Sequence, residues 1–430
     1  MGDAPNDQGR AGALRPAAPR PGPFFGWRVV GAAFIVAVFA WGVGFYGPSV
    51  FLHALHAERG WPVWLISAAI TCHFLLSALI VARLPALHRR FGLVAVTRAG
   101  GIAAGLGALA WALAPVPWLL FPAALISGAG WAATSTAAIN AMVAPWFERR
   151  RPAALSMAYN GASIGGVVFS PLWAMLIAGL GFAAAAAIIG AAMALCLWWL
   201  AGRYFQRTPE ALGLRPDGEE AGAAGAAAKD GEEGRRSLAA DNAAWRDRRF
   251  ATLSIGFALG LFAQIGLIAH LFSLLVPAMG EAGAGAAMSL FTGCAVLGRL
   301  LLGAMLPAGA DRRIAAALNF AVQIAGSLML LASGGTSVPL LLAGCVFFGL
   351  GVGNLVSLPP LIAQTEFARA DVARVVALVT AVNQAAFAFA PAVFGALRDL
   401  AGGNTTSMLA AALVQVAAAA VVLAARRTRA

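Results

Sequence analysis

Apolar residues in this chain gather into long blocks separated by short polar turns, and the length of the blocks is informative. Twelve stretches run near 28–52, 62–84, 93–113, 118–143, 152–178, 182–203, 250–277, 284–306, 314–333, 338–363, 372–397 and 405–425. About 20 apolar residues at helical rise cross the roughly 30 Å hydrocarbon core of a bilayer. Backbone groups find no water there, so each block is predicted to be a helix; a membrane barrel would show short alternating strands instead. One polar stretch is much longer than the others, residues 204–249, with a low-complexity Ala-Gly-Glu run around 219–234. The pattern divides the chain into a tail (1–24), a six-helix bundle (25–203), a linker (204–249), a second six-helix bundle (250–425) and a short tail (426–430). Residues 1–24 are rich in Pro, Ala, Gly and Arg and lack an apolar core followed by a cleavage site, so they read as a disordered tail rather than a signal peptide.

Composition agrees. Hydrophobic residues make up 60% of the 430 before the 50 glycines are counted, and charged residues 11%, against about 45–50% and about 25% in soluble domains. An ordinary soluble enzyme, a disordered scaffold and a disulfide-stapled secreted domain are excluded. Cys72, Cys196, Cys294 and Cys345 lie in four different blocks without ligand spacing and read as small buried hydrophobes. The sequence has no Walker loop, His-Glu-x-x-His motif or His/Cys cluster, so no cofactor or metal is implied and a primary pump or metalloenzyme is disfavoured.

A net charge of +12 would point to nucleic acid in a soluble protein. Placement gives a different meaning. Of the 30 basic residues, all Arg except Lys229, 27 fall on one side of the predicted membrane. They lie in the first tail and Arg28, at Arg83, Arg89, Arg90 and Arg98, at Arg149, Arg150 and Arg151, in the linker and its ends, at Arg312 and Arg313, at Arg369 and Arg374, and in the last tail. Arg59 and Arg398 lie opposite, and Arg299 sits inside the eighth block. Such charge marks the cytoplasmic side, so both termini and the linker are predicted to be cytoplasmic; dropping any span would invert every later loop. Heavy use of Arg, Ala and Gly points to a bacterial genome, hence an inner membrane, with the lipid bilayer as partner and no nucleic acid.

The halves echo each other. Gly128-x-Gly130 and Gly349-x-Gly351 are offset by 221, while Phe147 and Phe367, Arg149 and Arg369, and Pro171 and Pro391 are offset by 220. Four pairs in order at a nearly constant offset indicate a duplicated six-helix unit.

Between the second and third blocks, Pro85-Ala86-Leu87-His88-Arg89-Arg90-Phe91-Gly92 is similar to the G-x-L-x-D-R-x-G signature of the major facilitator superfamily of secondary transporters. Pro85 replaces the first Gly, and Arg89 replaces the Asp. The resemblance implies an all-α membrane protein of twelve transmembrane helices in two pseudo-symmetric bundles, with a cytoplasmic gate at Arg89, Arg90 and Gly92 whose network differs for want of that Asp. Trp146-Phe147-Glu148-Arg149-Arg150-Arg151, leading into Asn160-Gly161-Ala162-Ser163-Ile164-Gly165, resembles the entry to helix five in the monocarboxylate and oxalate/formate branch. Gly298-Arg299 resembles the position where that branch carries its substrate-binding Arg. Ala295 stands where some members have Asp or Asn, and the first helix lacks the Lys that some carry.

Arg299 is the most informative single residue, because a charge inside a membrane helix costs at least about 3 kcal/mol unless compensated. None of the 18 acidic residues falls within a block interior, so an anionic substrate held by the planar fork is one compensation. Snorkelling or capping of helix-end carbonyls is the other. His73 and His270 are candidates for carrying a proton, with a neutral, hydrogen-bonded role as the alternative. Tyr46, Asn160, Asn354 and Asn383 are candidate substrate contacts; Asn383 lies one turn from Thr380 and Phe387, a face that mixes polar and aromatic groups. Gly161 to Gly165 spells the G-x-S-x-G of serine hydrolases but falls inside a predicted helix, where it also spells the small-residue G-x-x-x-G packing surface.

The sequence thus predicts a non-enzymatic secondary transporter, monomeric as a functional unit. It moves a small organic anion such as a monocarboxylate, by symport with protons or antiport against another anion. Efflux of amphipathic compounds, and more weakly an intramembrane hydrolase using Ser163, are the alternatives.

Overall fold

The computed structural model describes residues 24–218, 245–307 and 310–426, except for the side chains of 369, 370 and 373. The expected first tail apart from Phe24, the 219–234 run and residues 427–430 lie outside them.

Twelve helical segments cross in alternating directions: α1 (Phe25–Arg59), α2 (Val63–Phe91), α3 (Leu93–Leu113), α4 (117–146), α5 (Arg151–Leu180), α6 (Phe182–Tyr204), α7 (248–279), α8 (281–305), α9 (Arg312–Ala332), α10 (Val338–Glu366), α11 (369–400) and α12 (Asn404–Ala424). Among the described residues ten helical runs are long and apolar enough to span a membrane. The difference has two sources. α7 and α8 form one continuous 58-residue run apart from Gly280, and α4 is broken at 133–135 into pieces too short to qualify alone. The duplication reaches the joints. Gly60 between α1 and α2 has φ 65°, and Gly280, 220 positions later, has φ 67°, a left-handed conformation that residues with a Cβ resist. Mid-membrane breaks are paired too: α4 breaks at Ala133 and α10 at Gly353.

Within the first bundle α5 lies against α1 through its small residues. A methyl added at Gly161 would strike the Phe34 carbonyl and Ala37, and one at Gly165 would strike the Val38 carbonyl. Ser163 is buried within this unbroken helix, so the strand-to-helix elbow of a hydrolase is not its setting. Gly161→Val is expected to destabilise the protein by about 1–3 kcal/mol through overpacking, read as a lower melting temperature in detergent.

One face carries the linker ends, Phe24 and Arg426; the other is the distal face. The bundles meet in the distal half. There the Asp399 carboxylate accepts from the Trp64 N–H (2.7 Å), Thr71 Oγ1 accepts from the Ala392 N–H (3.1 Å), and Ser289 Oγ donates to the Val167 carbonyl (2.6 Å). Gly395 packs on Ser67 and Gly285 on Pro171. The apolar core is continuous across this seam, whereas the linker end of the second bundle has a separate core around Phe257, Phe320 and Leu355. The cross-bundle hydrogen bonds named above lie in the distal half, and α2 packs more closely on the 390–400 part of α11 than on its 369–388 part, so the bundles part in a cleft toward the linker face.

Candidate functional site

An aromatic roof closes the cleft near mid-membrane. α1 carries a π-helical turn at Trp41–Phe45, which turns successive rings inward: Trp41 and Phe45 pack on Trp131 of α4, Phe45 on Phe74 of α2, and Phe74 on Phe387 of α11 at 5.9 Å across the seam. Tyr46 follows the π-turn and is buried. It meets Thr292 of α8 beside Gly166 of α5, where an added methyl would lie 2.6 Å from the Tyr46 ring and 2.5 Å from the Thr292 methyl.

Two turns beyond Thr292 on the same stripe of α8 stands Arg299, half-buried, on the linker side of the point where the bundles part. Its Nε donates to the carbonyl of Gly353 (3.3 Å) at the break in α10, a carbonyl that also accepts from Ser357 Oγ (3.4 Å). Tyr46 lies within its electrostatic reach. Among the described residues no carboxylate pairs with Arg299, and neither Nη atom has a protein partner. The side chain is therefore anchored at Nε, with both Nη groups left to bind. One helix-break carbonyl is the capping anticipated as the structural alternative, and it leaves the charge itself unmatched.

The remaining candidates separate. Asn383, on α11 one turn from Phe387, is buried with its Oδ1 unpartnered. Asn354 is engaged inside the second bundle: its Nδ2 donates to Asn319 Oδ1 (2.9 Å) and the Leu350 carbonyl (3.2 Å). Asn160 is exposed on α5, on the turn beside Gly161, and is not drawn to Tyr46. His73 belongs to a network within the first bundle. Ser127 Oγ donates to the Ala124 carbonyl, accepts from Trp111 Nε1 (3.1 Å) and lies 2.8 Å from His73 Nδ1. All three contacts can be satisfied together when Nδ1 carries the ring proton; Nε2 is buried without a hydrogen bond of its own, and the Gly44 carbonyl of α1 also faces the ring. His270, in the distal half, donates from Nε2 to the Pro391 carbonyl (3.4 Å), and its Nδ1 is buried without a partner.

At the linker face, Gly92 joins α2 to α3 at φ 81°, while Arg89 and Arg90 are exposed and Arg90 stacks over Phe91. A carboxylate does serve this face, from an unexpected place. Asp217, in the start of the linker, accepts from the backbone N–H groups of Glu148 (3.2 Å), Arg149 (2.7 Å) and Arg150 (3.2 Å) and so clasps the turn that leads into α5. Desolvation pushes this carboxyl up, but the three N–H donors and the Arg150 guanidinium outweigh it and hold it below the usual carboxylate range. With a depressed folded value, this clasp is complete above the ordinary carboxylate range and is lost as pH falls through the lowered value. Limited proteolysis between residues 205 and 218 is expected to accelerate in that acid window, and at neutral pH in Asp217→Ala.

A second feature escaped the charge pattern. Arg313, counted as an orientation mark, is 1% exposed. Its five N–H donors reach Glu366 Oε1 (2.6 Å) and Oε2 (2.8 Å), Thr252 Oγ1 (2.9 Å) and the carbonyls of Val422 (2.7 Å) and Arg249 (3.0 Å). This hub ties α7, α9, α10 and α12 together at the linker end.

Comparison with known proteins places this architecture. A family model described as the Major Facilitator Superfamily matches residues 32–391. Monocarboxylate transporter 13 of Rattus norvegicus and that of Bos taurus are each 30% identical over 158 residues, 36% of this chain and 36% of theirs; the chain thus spans about a third of the length of these curated relatives. Among solved structures, the nucleoside transporter NupG superposes with a TM-score of 0.71 at 13% identity over 93% of this chain and 98% of that one. A bacterial homolog to the human lysosomal transporter Spinster, inward-facing and occupied, gives 0.70 at 15% over 95% and 100%. These likenesses show the fold alone.

Proposed function

Because the chain belongs to the Major Facilitator Superfamily, we propose that it is a secondary transporter of small organic anions, monocarboxylates foremost, working by alternating access. The observation that carries this reading is Arg299, a membrane-embedded guanidinium anchored by Nε with two unpartnered Nη groups at the open side of an aromatic-roofed cleft. A carboxylate accepting from both Nη groups would supply the missing counter-charge. Its small apolar tail would lie toward the rings of Phe74 and Phe387, with Tyr46 and Asn383 as the further polar contacts. The partial relatives named as monocarboxylate transporters support the substrate class.

The protein works as a monomer in a bacterial inner membrane, with the linker face toward the cytoplasm, so the open cleft is the inward-facing state. Anion movement is coupled to protons or to a second anion; the bare His73 Nε2 and His270 Nδ1 are the places for a proton. Thermal unfolding of the purified protein across a panel tests the assignment. A ligand that binds only the folded state raises stability by about 2.7 kcal/mol at 100 times its Kd. Acetate, lactate, pyruvate or oxalate is expected to raise the melting temperature of the wild type but not of Arg299→Ala. Stabilisation by lipophilic cations, with none by any anion, would establish the efflux reading instead.

A further inference from the structure

On the outside of the second bundle, α8, α9 and α10 leave a crevice of about 400 Å³, lined by Leu301, Met305, Leu318 and Leu350 with Asn319 and Asn354 at its floor. Leu318 is 62% exposed and Met305 74%; in a membrane helix bundle such apolar rims face lipid. Asn319 stands seven residues into α9, roughly 10 Å from the linker end at helical rise, which puts the crevice in the leaflet on the linker side. The first bundle holds its twin. A crevice of about 370 Å³ between α2, α3 and α4 is lined by Ile80, Ala95, Ala99, Ala129 and Ala133. At the repeat offset of 220 or 221, Ile80 matches Leu301, Ala95 matches Ala315 and Ala129 matches Leu350.

The floor is where the twins part. Asn319 replaces Ala99, and Asn354, the residue after the break in α10, replaces Thr134, the residue after the break in α4, so this three-helix contact is made without asparagines in one half of the molecule and with two in the other. The donors of the pair are engaged: Asn354 Nδ2 binds Asn319 Oδ1 and the Leu350 carbonyl, and Asn319 Nδ2 binds the Gly351 carbonyl. One group remains. Asn354 Oδ1 is buried and has no partner, and in an apolar setting an unmet acceptor is unfavourable until a donor arrives.

We propose that the α8–α9–α10 crevice binds a small amphiphile entering from the bilayer, its apolar body filling the crevice and its single O–H or N–H donating to Asn354 Oδ1. The volume falls within the roughly 300–1,000 Å³ of small-molecule sites. An acyl chain has no donor for the asparagine, and a freely water-soluble ligand would not fill the leucine rim. The site is separate from the cleft, and its occupancy does not depend on what is transported.

The test uses the full-length protein in liposomes, a photoreactive diazirine derivative of decanol, and the methyl ether of the same molecule, with labelled peptides read by mass spectrometry. The alcohol is expected to label residues 298–322 at least about fivefold more than the ether does, the discrimination one net hydrogen bond gives. It is also expected to label this crevice in clear excess over residues 80–103 of the twin. Asn354→Leu should erase the preference for the alcohol. Should that variant not fold, Leu318→Trp, which fills the crevice from its exposed rim, should reduce labelling by the alcohol to the level of the twin. Equal labelling by alcohol and ether, equal labelling of the two crevices, or labelling undiminished in Leu318→Trp overturns the proposal.

Discussion

Replacing Arg299 with alanine is expected to reduce anion transport at low substrate concentration by about 100-fold or more, because two charge-assisted hydrogen bonds to a carboxylate are worth roughly 3 kcal/mol or more together. Folding should survive. Among the described residues Arg299 makes one side-chain hydrogen bond, to the Gly353 carbonyl, and a single such bond contributes about 1 kcal/mol. Removing a half-buried charge that lacks a carboxylate partner also relieves a desolvation penalty. The melting temperature of Arg299→Ala in detergent should therefore stay within a few degrees of the wild type while uptake collapses. Arg299→Lys separates charge from geometry. A lysine supplies a point charge without the planar fork, so it should restore part of the uptake with a raised KM. A variant that lost uptake and stability together would mean that Arg299 serves α8–α10 packing and not substrate.

The largest effect on stability is expected at the opposite extreme of pairing, in the Arg313 hub. Every N–H of that guanidinium has an acceptor, and Glu366 takes two of them. Removing one member leaves a buried charge uncompensated, which costs about 3–5 kcal/mol. Arg313→Ala and Glu366→Gln should each lower the melting temperature sharply and loosen the linker end of the second bundle, seen as faster hydrogen exchange in Phe250 to Phe257. Exchanging both partners for apolar residues, Arg313→Met with Glu366→Leu, should recover most of the loss, since a buried pair is often no more stabilising than a well-packed apolar substitute. Failure of the double variant to exceed either single would show that the carbonyl contacts of Arg313, and not its ion pair, dominate.

These two arginines also show what the sequence made legible. Arg299 stands out in a linear reading because a cation in an apolar block is anomalous wherever the helix faces. Arg313 does not, since it adjoins Arg312 at a helix start where basic residues are expected; which of two neighbours turns inward is decided by α7, α10 and α12 arriving from distant parts of the chain. The twelve helical segments were readable from block length, and the repeat offset carries through to Gly60 and Gly280. The breaks in α4 and α10 were not, because Ala133 and Gly353 sit in apolar context and interrupt a helix without interrupting hydropathy. Tyr46 was recognisable as a polar residue in the first helix, but its meeting with Thr292 depends on how the bundles close. Asparagines mislead in the same way: Asn354 and Asn383 look alike in sequence, yet one bridges three helices of its own bundle and the other lies one turn from the seam. The Asp217 clasp was beyond reach, since a carboxylate in a polar linker gives no sign of which turn it will find 67 to 69 residues away.

Solute counterflow in proteoliposomes tests the central claim most directly. Vesicles preloaded with an unlabelled monocarboxylate and diluted into a trace of the labelled compound should accumulate label transiently when they contain the wild type, and should match empty vesicles when they contain Arg299→Ala. Accumulation that is the same with and without the Arg299 side chain, or absent for every small organic anion while a lipophilic cation exchanges, would contradict the assignment of the cleft as an anion-transport site.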